Sequence, residues 1–533
     1  MSHRPVSLHA PRGSIAADVI REGIDALLAD QEGDFPLQFS PEVLAEAERA
    51  AAQDLSATDR VDRTEVPFVT LDPASSTDLD QAMHLERTEN GYRVLYAIAD
   101  VPWFVELDGL LDHAARERGE TLYLPDRRIP LHPELLSEGA ASLLPDQDTP
   151  AFVWVLDLDG AGEVHSIGLE RALIRSVQKL AYDQVQEELD RGEGRPMMLL
   201  LQEIGALRTQ LEAQRGGASL NVPEQEIVAE GEVVQLSWRR PNPIEDDNAQ
   251  ISLMTGMAAA SLMLEHGAGI LRTMPPAEQQ AVDRFRRQSD VLGIPWSTEQ
   301  SYGEFLRSLD WHEPTHLALL NLATSLFRGA GYAAFASAAE VPADPEQSAI
   351  AAPYAHTTAP LRRLVDRFVL LVCDDHVSGR TPSPELLAAM AQIPDAMRAA
   401  GARAGNLERT AIDLVETAAL AAWEGEEFDA TVLERREATE SSNGNGDGGG
   451  NGSSGSNGNG NGGAPTRVEV QLTDPPITAW VPMDAEAGEV VRVRLESVDP
   501  AKRRAVFVAA DPARATDAAL GAEGSKSSDG TPA

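Results

Sequence analysis

Hydrophobic and polar residues alternate with two different periods along this chain, and each period predicts a different kind of element. Apolar residues recur at helical spacing from residue 15 to residue 28. Ser40 followed by Pro41 is a typical start of a second helix, which the pattern continues to about residue 51. Residues 1–60 are therefore predicted to form a short helical N-terminal segment.

A strand pattern replaces the helical spacing after residue 60 and gives way to helices further along. The apolar and β-branched runs predict strands at 66–71, 92–101, 152–158 and 164–173. Helices are predicted at 110–119, 182–191, 251–266, 276–292, 315–327, 364–375, and 385–424 with an interruption near Pro394. Strands that come early and helices that come late indicate an α+β domain over residues 61–424.

Five further strand patterns predict a second, smaller β-domain over residues 425–511. They begin at residue 428 and continue at 467–472, 477–482, 489–498 and 504–509. Residues 441–463, after the first of these strands, are almost entirely Asn, Gly and Ser, which predicts a disordered insertion. Residues 512–533 are predicted to be a disordered tail.

Composition and charge narrow the class of protein. Hydrophobic residues make up 42% of the chain, as in ordinary soluble proteins. No apolar run reaches the roughly 18–20 residues that a membrane helix needs. The N-terminus has no apolar signal core, so we expect a cytoplasmic protein. The single cysteine, Cys373, lies in an apolar run and is expected in the core. The net charge of −41 disfavours binding to nucleic acid unless basic residues line an internal channel.

Three carboxylates follow the first strand of the large domain. Asp72 ends the strand, and Asp78 and Asp80 stand two residues apart, so that in an extended chain both point to one side. The turn at 73–77 can fold Asp72 back towards them. Converging carboxylates suit Mg²⁺ or Mn²⁺, which prefer hard oxygen ligands. The simpler interpretation is a polar turn with solvated side chains.

Four segments give this motif a context. They are 70–82 (TLDPASSTDLDQA), 122–125 (LYLP), 179–183 (KLAYD) and 353–366 (PYAHTTAPLRRLVD). In this order they resemble landmarks of the RNase II (RNB) family of 3′→5′ exoribonucleases. The strands after residue 425 are similar to an S1-type OB barrel, a fold that binds oligonucleotides on one face but could equally serve here as a structural cap.

The resemblance implies a monomeric, metal-dependent hydrolase that binds the 3′ end of single-stranded RNA and releases nucleoside 5′-monophosphates. Its Mg²⁺, with Mn²⁺ as the alternative, would be held by Asp72, Asp78 and Asp80. Asp80 and Arg362 would be catalytic. The RNA-binding residues that it implies are Tyr123, Tyr182, Arg362, Arg363 and Glu408.

Each RNA-binding assignment has a simpler alternative. Tyr123 could be a core tyrosine and Tyr182 a helix start. Arg362 and Arg363 could be a pair that holds Asp366 or Asp374. Glu408 could be an ordinary exposed helical glutamate.

The sequence also departs from the family pattern. Gln81 replaces the acid that usually follows the third aspartate, and Ile251-Ser252 replaces a glutamate pair. An amide supplies no charge to a metal. One alternative function is therefore an RNA-binding relative with weakened catalysis. Another is a metal-dependent phosphohydrolase acting on small nucleotides, which would not need the domain at 425–511.

Overall fold

The structure, a computed structural model, describes residues 8–9, 15–29, 36–55, 59–218, 224–230, 233–239, 241–310, 312–436, 466–474 and 477–511. Its N-terminal elements are β1 (Leu8–His9), α1 (Ile15–Ala29) and α2 (Pro41–Ala51). The Ser40 side chain accepts a hydrogen bond from the Val43 amide, so the predicted helix cap is confirmed.

The next elements build a closed barrel. In chain order they are β2 (Val61–Asp72), β3 (Gln81–Arg87), β4 (Gly91–Ala99), α3 (Val101–Phe104), α4 (Leu110–Arg118), β5 (Leu122–Tyr123), β6 (Arg128–Ile129), β7 (Asp148–Asp159) and β8 (Val164–Ala181). The barrel runs β2-β3-β4-β7-β8 and closes because the long strand β8 pairs in parallel with β2. Strand β4 ends earlier than predicted, since the Asp100 side chain accepts from the Trp103 amide and begins α3.

Helices cover the barrel. They and the short strands between them are α5 (Tyr182–Asp190), α6 (Pro196–Arg215), β9 (Glu224–Glu230), β10 (Val233–Arg239), α7 (Pro243–His266), β11 (Gly269–Thr273), α8 (Gln279–Val291), α9 (Tyr302–Arg307), α10 (Pro314–Ala323), β12 (Gly331–Phe335), β13 (Glu346–Gln347), β14 (Ala352–Pro353), α11 (Leu364–Val377), α12 (Pro384–Met390) and α13 (Ile393–Leu420). Helix α7 begins eight residues before its predicted start, because the Asn242 amide donates to the Glu245 carboxylate in an N-terminal cap.

The barrel strands bury both of their faces. Phe152 and Trp154 pack in one cluster with α6, α7 and α11, whereas Val153 between them packs in another with α2. Cys373 is buried in the first cluster, as expected. No helix in the described ranges is both long and apolar enough to cross a membrane.

The small domain consists of β15 (Glu427–Arg436), β16 (Arg467–Leu472), β17 (Thr478–Val481), β18 (Val490–Asp499) and β19 (Arg504–Ala509). They form an antiparallel sheet in the order β17-β16-β15-β18-β19, which confirms the five predicted strands. The predicted insertion at 441–463 and the predicted tail at 512–533 lie outside the described residues.

Candidate active site

The three aspartates lie on the loop that joins β2 to β3 at one end of the barrel. Asp72 is the last residue of β2, and Asp80 immediately precedes β3. Lys179, on the neighbouring strand β8, donates to the carbonyls of Ala74 (2.8 Å) and Ser76 (2.5 Å). This lysine therefore holds the turn between Asp72 and Asp78.

A buried serine fixes the second half of the same loop. The Ser142 hydroxyl accepts from the Leu79 amide (2.9 Å) and donates to the Thr77 carbonyl (2.8 Å). Leu79 is fully buried. The backbone that carries Asp78 and Asp80, on either side of Leu79, is thus fixed by contacts within the protein. This disfavours the interpretation as a polar turn with solvated side chains.

Asp80 is the most enclosed of the three carboxyl groups. One oxygen accepts from the Leu361 amide at 2.7 Å, and the other lies 3.8 Å from Nε of Arg362. Burial raises the pKa of Asp80 well above its usual value, and the Arg362 charge and the Leu361 hydrogen bond oppose this shift. Asp80 therefore connects the barrel loop to the segment that carries Arg362.

Asp72 and Asp78 are linked through their charges. Burial, followed by the charge of Asp78, raises the pKa of Asp72 to about 7. The buried Oδ2 of Asp72 has no hydrogen-bond partner. Asp78 instead has neighbours on the β5–β6 hairpin, where Arg128 donates to it at 2.7 Å and the Tyr123 hydroxyl lies at 3.4 Å. The carboxyl groups of Asp72 and Asp80 are thus buried, although the ionised form of each is more stable in water.

Arg362 lies among these groups. Burial raises the pKa values of Asp72, Asp80, Tyr123 and Tyr182, and in each case the positive charge of Arg362 acts in the opposite direction. The Arg362 side chain is 41% exposed. The structure therefore brings together five predicted site residues that are distant in sequence.

The two tyrosines present different surfaces. Tyr123 is 47% exposed, and its hydroxyl donates to Asp78 at 3.4 Å, so part of its ring is open to solvent. The half-buried Tyr182 accepts at its hydroxyl a hydrogen bond from Asn248 of α7 (2.8 Å). Tyr123 is therefore not a core residue, whereas Tyr182 combines a helix start with a position near Arg362.

Arg363 and Glu408 are placed differently. Arg363 makes a two-pronged ion pair with the buried Asp366 at 2.9 and 2.8 Å, which is the structural alternative given above. Glu408 is half-buried on α13, next to Leu407 in the cluster that holds the β5–β6 hairpin. An RNA-binding role for either residue stays a prediction.

Sequence reasoning did not assign two contributors to the site. Arg128 pairs with Asp78 and Glu138, and its place opposite Tyr123 in the hairpin register gives it this reach. Tyr96 of β4 bonds to Gln81 and Ser252. The only sequence signal for Arg128 was its position in a short basic run after the LYLP segment.

The three carboxyl groups have the chemistry, but not the spacing, of a divalent-cation site. In the described part of the chain no three His, Cys, Asp or Glu side chains converge closely enough to hold a metal ion as they stand. Their chemistry nevertheless fits, since Asp72 has an unpartnered buried oxygen, and burial, with a smaller contribution from the negative charge of Asp78, raises the pKa values of both Asp72 and Asp80. A cation would offset the repulsion that contributes to these shifts.

Comparison with known proteins supports the resemblance. The RNB domain family matches residues 60–378, and the family of RNase II-type exonuclease C-terminal S1 domains matches residues 456–510. Ribonuclease R of Acidithiobacillus ferrooxidans is 34% identical over 186 residues, which are 34% of this chain and 42% of the relative. Ribonuclease R 1 of Lactococcus lactis is 26% identical over 423 residues, or 74% of this chain and 49% of the relative. The chain thus spans less than half the length of either relative.

Solved structures share the fold. RNase R of Mycoplasma genitalium, in complex with ribose-methylated single-stranded RNA, matches with a TM-score of 0.77 at 19% identity, over 92% of this chain and 78% of that one. Yeast Ssd1, described as a pseudonuclease, matches with a TM-score of 0.59 at 18% identity, over 72% of this chain and 48% of that one. The fold is therefore common to proteins described as a nuclease and as a pseudonuclease. Because the RNB match covers more than half of the chain, and the C-terminal strands match the S1 domain, this protein belongs to the RNB family of the RNase II type.

Proposed function

We propose that the protein is a metal-dependent 3′→5′ exoribonuclease that hydrolyses single-stranded RNA to nucleoside 5′-monophosphates. The observation that carries this proposal is the grouping of Asp72, Asp78 and Asp80 around Arg362, with the exposed ring of Tyr123 beside Asp78. The ring offers a surface for a base, and the guanidinium offers a partner for a phosphate. A cytoplasmic location and a monomeric state stay predictions.

Asp72, Asp78 and Asp80 would hold the metal. Mg²⁺ is the expected ion and Mn²⁺ the alternative, because carboxylate oxygens are the ligands that both prefer. When bound, such an ion supplies Lewis acidity and activates water for attack on phosphorus.

The chain's own residues bind and orient the substrate in this proposal. The ring of Tyr123 stacks on a base near the 3′ end, and Tyr182 lies close enough to Arg362 to limit the space beside it. Arg362 places its guanidinium on the non-bridging oxygens of the scissile phosphate, where charge develops during hydrolysis. Asp80 fixes the backbone of that arginine's segment through the Leu361 amide.

A second candidate function is RNA binding with little or no cleavage. Two observations favour it. Arg128 already pairs with Asp78 at 2.7 Å, and an uncharged Gln81 stands next to Asp80. Both features reduce the negative charge available to a metal.

Cleavage of a 5′-labelled single-stranded 20-nucleotide RNA in Mg²⁺, with products resolved by size, distinguishes these functions. The exonuclease shortens the RNA stepwise and releases mononucleotides. Asp80→Asn should lose more than about tenfold in rate and keep its RNA affinity, since losing one main metal ligand costs several kcal/mol of barrier. Asp157→Asn, outside the site on β7, is the matched control and should keep full activity.

Three results would count against the proposal. Intact RNA that is nevertheless retarded in a gel supports the binding protein. No interaction with RNA at all points to a small-nucleotide phosphohydrolase. Full activity in Asp80→Asn would remove Asp80 from the metal site.

A further inference from the structure

Two adjacent residues hold the turn that precedes Arg362. Asp80 accepts a hydrogen bond from the Leu361 amide at 2.7 Å, and Gln81 donates through Nε2 to the Thr358 carbonyl at 2.7 Å. Thr358 and Leu361 lie near the two ends of the same turn, in which the Arg362 amide donates back to the Ala359 carbonyl. Asp80 and Gln81 therefore fix this turn near both of its ends by hydrogen bonds.

The other atom of the Gln81 amide, its oxygen, is also fixed by a hydrogen bond. This atom, Oε1, lies 2.6 Å from the Tyr96 hydroxyl, which lies 2.7 Å from the Ser252 hydroxyl. Tyr96 is fully buried on β4, and Ser252 belongs to α7. The amide is thus anchored to the barrel on one side and to a covering helix on the other.

The donors in this chain of hydrogen bonds follow from chemistry. A carbonyl oxygen can only accept, so the Gln81 atom facing Thr358 must be the NH₂ group. The Oε1 of Gln81 can also only accept, so the Tyr96 hydroxyl must donate to it. Ser252 then donates to Tyr96. Each hydrogen bond in this series therefore has a fixed donor and a fixed acceptor.

An acid at position 81 would break this arrangement. An ionised carboxylate has no proton to donate, so it would meet the Thr358 carbonyl as one acceptor facing another. It would also place a second negative charge next to Asp80, whose pKa burial already raises. The two departures from the family pattern, Gln81 and Ser252, are joined through Tyr96, so they form one consistent network.

We propose that Gln81 is a positioning residue that sets the turn from Thr358 to Leu361 and thereby the guanidinium of Arg362. In this chain the position has exchanged a charge for a hydrogen-bond donor. The inference rests on the proposed function for the role of Arg362, whereas the contacts of Gln81 are independent of it.

Two substitutions distinguish a donor from a charge. Gln81→Met removes the donor without adding charge, and Gln81→Glu removes it while supplying the family's acid. Both should lower kcat on single-stranded RNA about tenfold, because one positioning hydrogen bond is lost. Gln81→Met, which adds no charge, should also leave unchanged the Mn²⁺ concentration that half-saturates the rise in melting temperature. Gln178→Met, where the amide bonds to Arg195 on the outside of the barrel, is the matched control and should behave as wild type.

A double-mutant cycle in EDTA tests whether Gln81 acts through Arg362. RNA affinity is measured by fluorescence anisotropy for wild type, Gln81→Met, Arg362→Ala and the double variant. Gln81→Met alone should weaken binding about fivefold, and it should have no further effect once Arg362 is alanine. Tyr96→Phe, which leaves the donor to Thr358 in place, should give a smaller loss in the same direction and guards against a misfolded Gln81→Met.

The outcomes are decisive in either direction. A Gln81→Glu variant that equals or exceeds wild-type activity, or a Gln81→Met variant that binds Mn²⁺ more weakly, would overturn the inference and favour a metal ligand at this position. Equal effects of Gln81→Met in the presence and absence of Arg362 would also overturn it. If wild type binds RNA but does not cleave it, the proposed function fails while the EDTA cycle still tests Gln81. If wild type does not bind RNA, both fail.

Discussion

The pKa of Asp72 makes a quantitative prediction about stability. Asp72 ends β2 with one buried oxygen that has no partner, and burial followed by the charge of Asp78 raises its pKa to about 7. In the unfolded chain the same carboxyl ionises near pH 4. Asp72→Asn replaces it with a neutral side chain of nearly the same size, so the substitution removes the contribution of this ionisation to the pH dependence of stability.

The sign follows from proton binding. Between about pH 4 and pH 7 the native protein keeps a proton on Asp72 that the unfolded chain releases. The free energy of unfolding therefore falls as the pH rises through this window and levels off above about pH 7. A pKa raised from 3.8 to about 7 corresponds to a ceiling of about 4 kcal/mol, at 1.36 kcal/mol per pKa unit.

Other buried groups change the free energy of unfolding with pH in the opposite direction. The difference in this free energy between Asp72→Asn and wild type is therefore the quantity to measure. Burial lowers the pKa of His132 to about 3, and unfolding at acid pH therefore takes up a proton there. Urea unfolding in EDTA at pH 5, 6, 7 and 8 cancels this contribution when Asp72→Asn is compared with wild type. The stability of the variant relative to wild type should rise by at least about 2 kcal/mol over this range.

A control and a metal titration complete the test. Asp157→Asn, on the outside of the barrel, should show no such rise, because the pKa of Asp157 is lowered by Arg93 and its ionisation contributes only at more acid pH. Mg²⁺ should stabilise wild type most above pH 7, where Asp72 is ionised, and should affect Asp72→Asn less. A stability difference that stays constant from pH 5 to 8 would refute the assignment of a shifted carboxyl to Asp72.

Three further predictions concern the RNA surface and the packing beneath it. Tyr123→Ala should weaken binding of single-stranded RNA by about 1–3 kcal/mol while Tyr123→Phe keeps it, and an equal loss in both by anisotropy would argue against stacking. Gly256→Ala should lower urea stability by about 1–3 kcal/mol, because its Cβ would lie 2.1 Å from the Tyr354 ring, whereas Gly405→Ala, with open space around it, should be neutral or slightly stabilising. The logarithm of RNA affinity against the logarithm of salt concentration should have a slope of about −2 or shallower, and a slope steeper than about −4 would reveal a further basic RNA-binding surface.

Much of the site could be predicted from sequence because its parts are local. Asp72 and Asp78 are joined by a five-residue turn, and the strand pattern before it fixes where the turn begins. The partly exposed ring of Tyr123 and the position of Arg362 beside Asp80 also agree with the resemblance. These features depend on strand ends and on motif order, both of which are visible in one sequence.

What could not be predicted depends on contacts across long sequence separations. The barrel closes when β8 pairs in parallel with β2, a register that no local pattern specifies. The hydrogen bond from Gln81 to Thr358 joins residues 277 positions apart. In the motif alone, Gln81 therefore looked like a lost ligand, whereas the structure shows an amide with two partners.

Acidic residues pair with several arginines of the large domain. Arg171 pairs with Asp100, Arg175 with Asp148 and Arg239 with Glu245. Paired cations attract phosphate weakly, so with a net charge of −41 the chain gains little from long-range attraction.

Under the proposed function, recognition must then be short-range. A phosphate near Asp72, Asp78 and Asp80 meets three acidic groups, and the partly exposed Arg362 lies 3.8 Å from Asp80. A divalent cation would balance this excess of negative charge, which, after burial, contributes to the raised pKa of Asp72. The position of Arg362 therefore matters more here than the number of basic residues. That is the physical reason for a glutamine, with its hydrogen-bond donor, at the position where an acid would add one more negative charge.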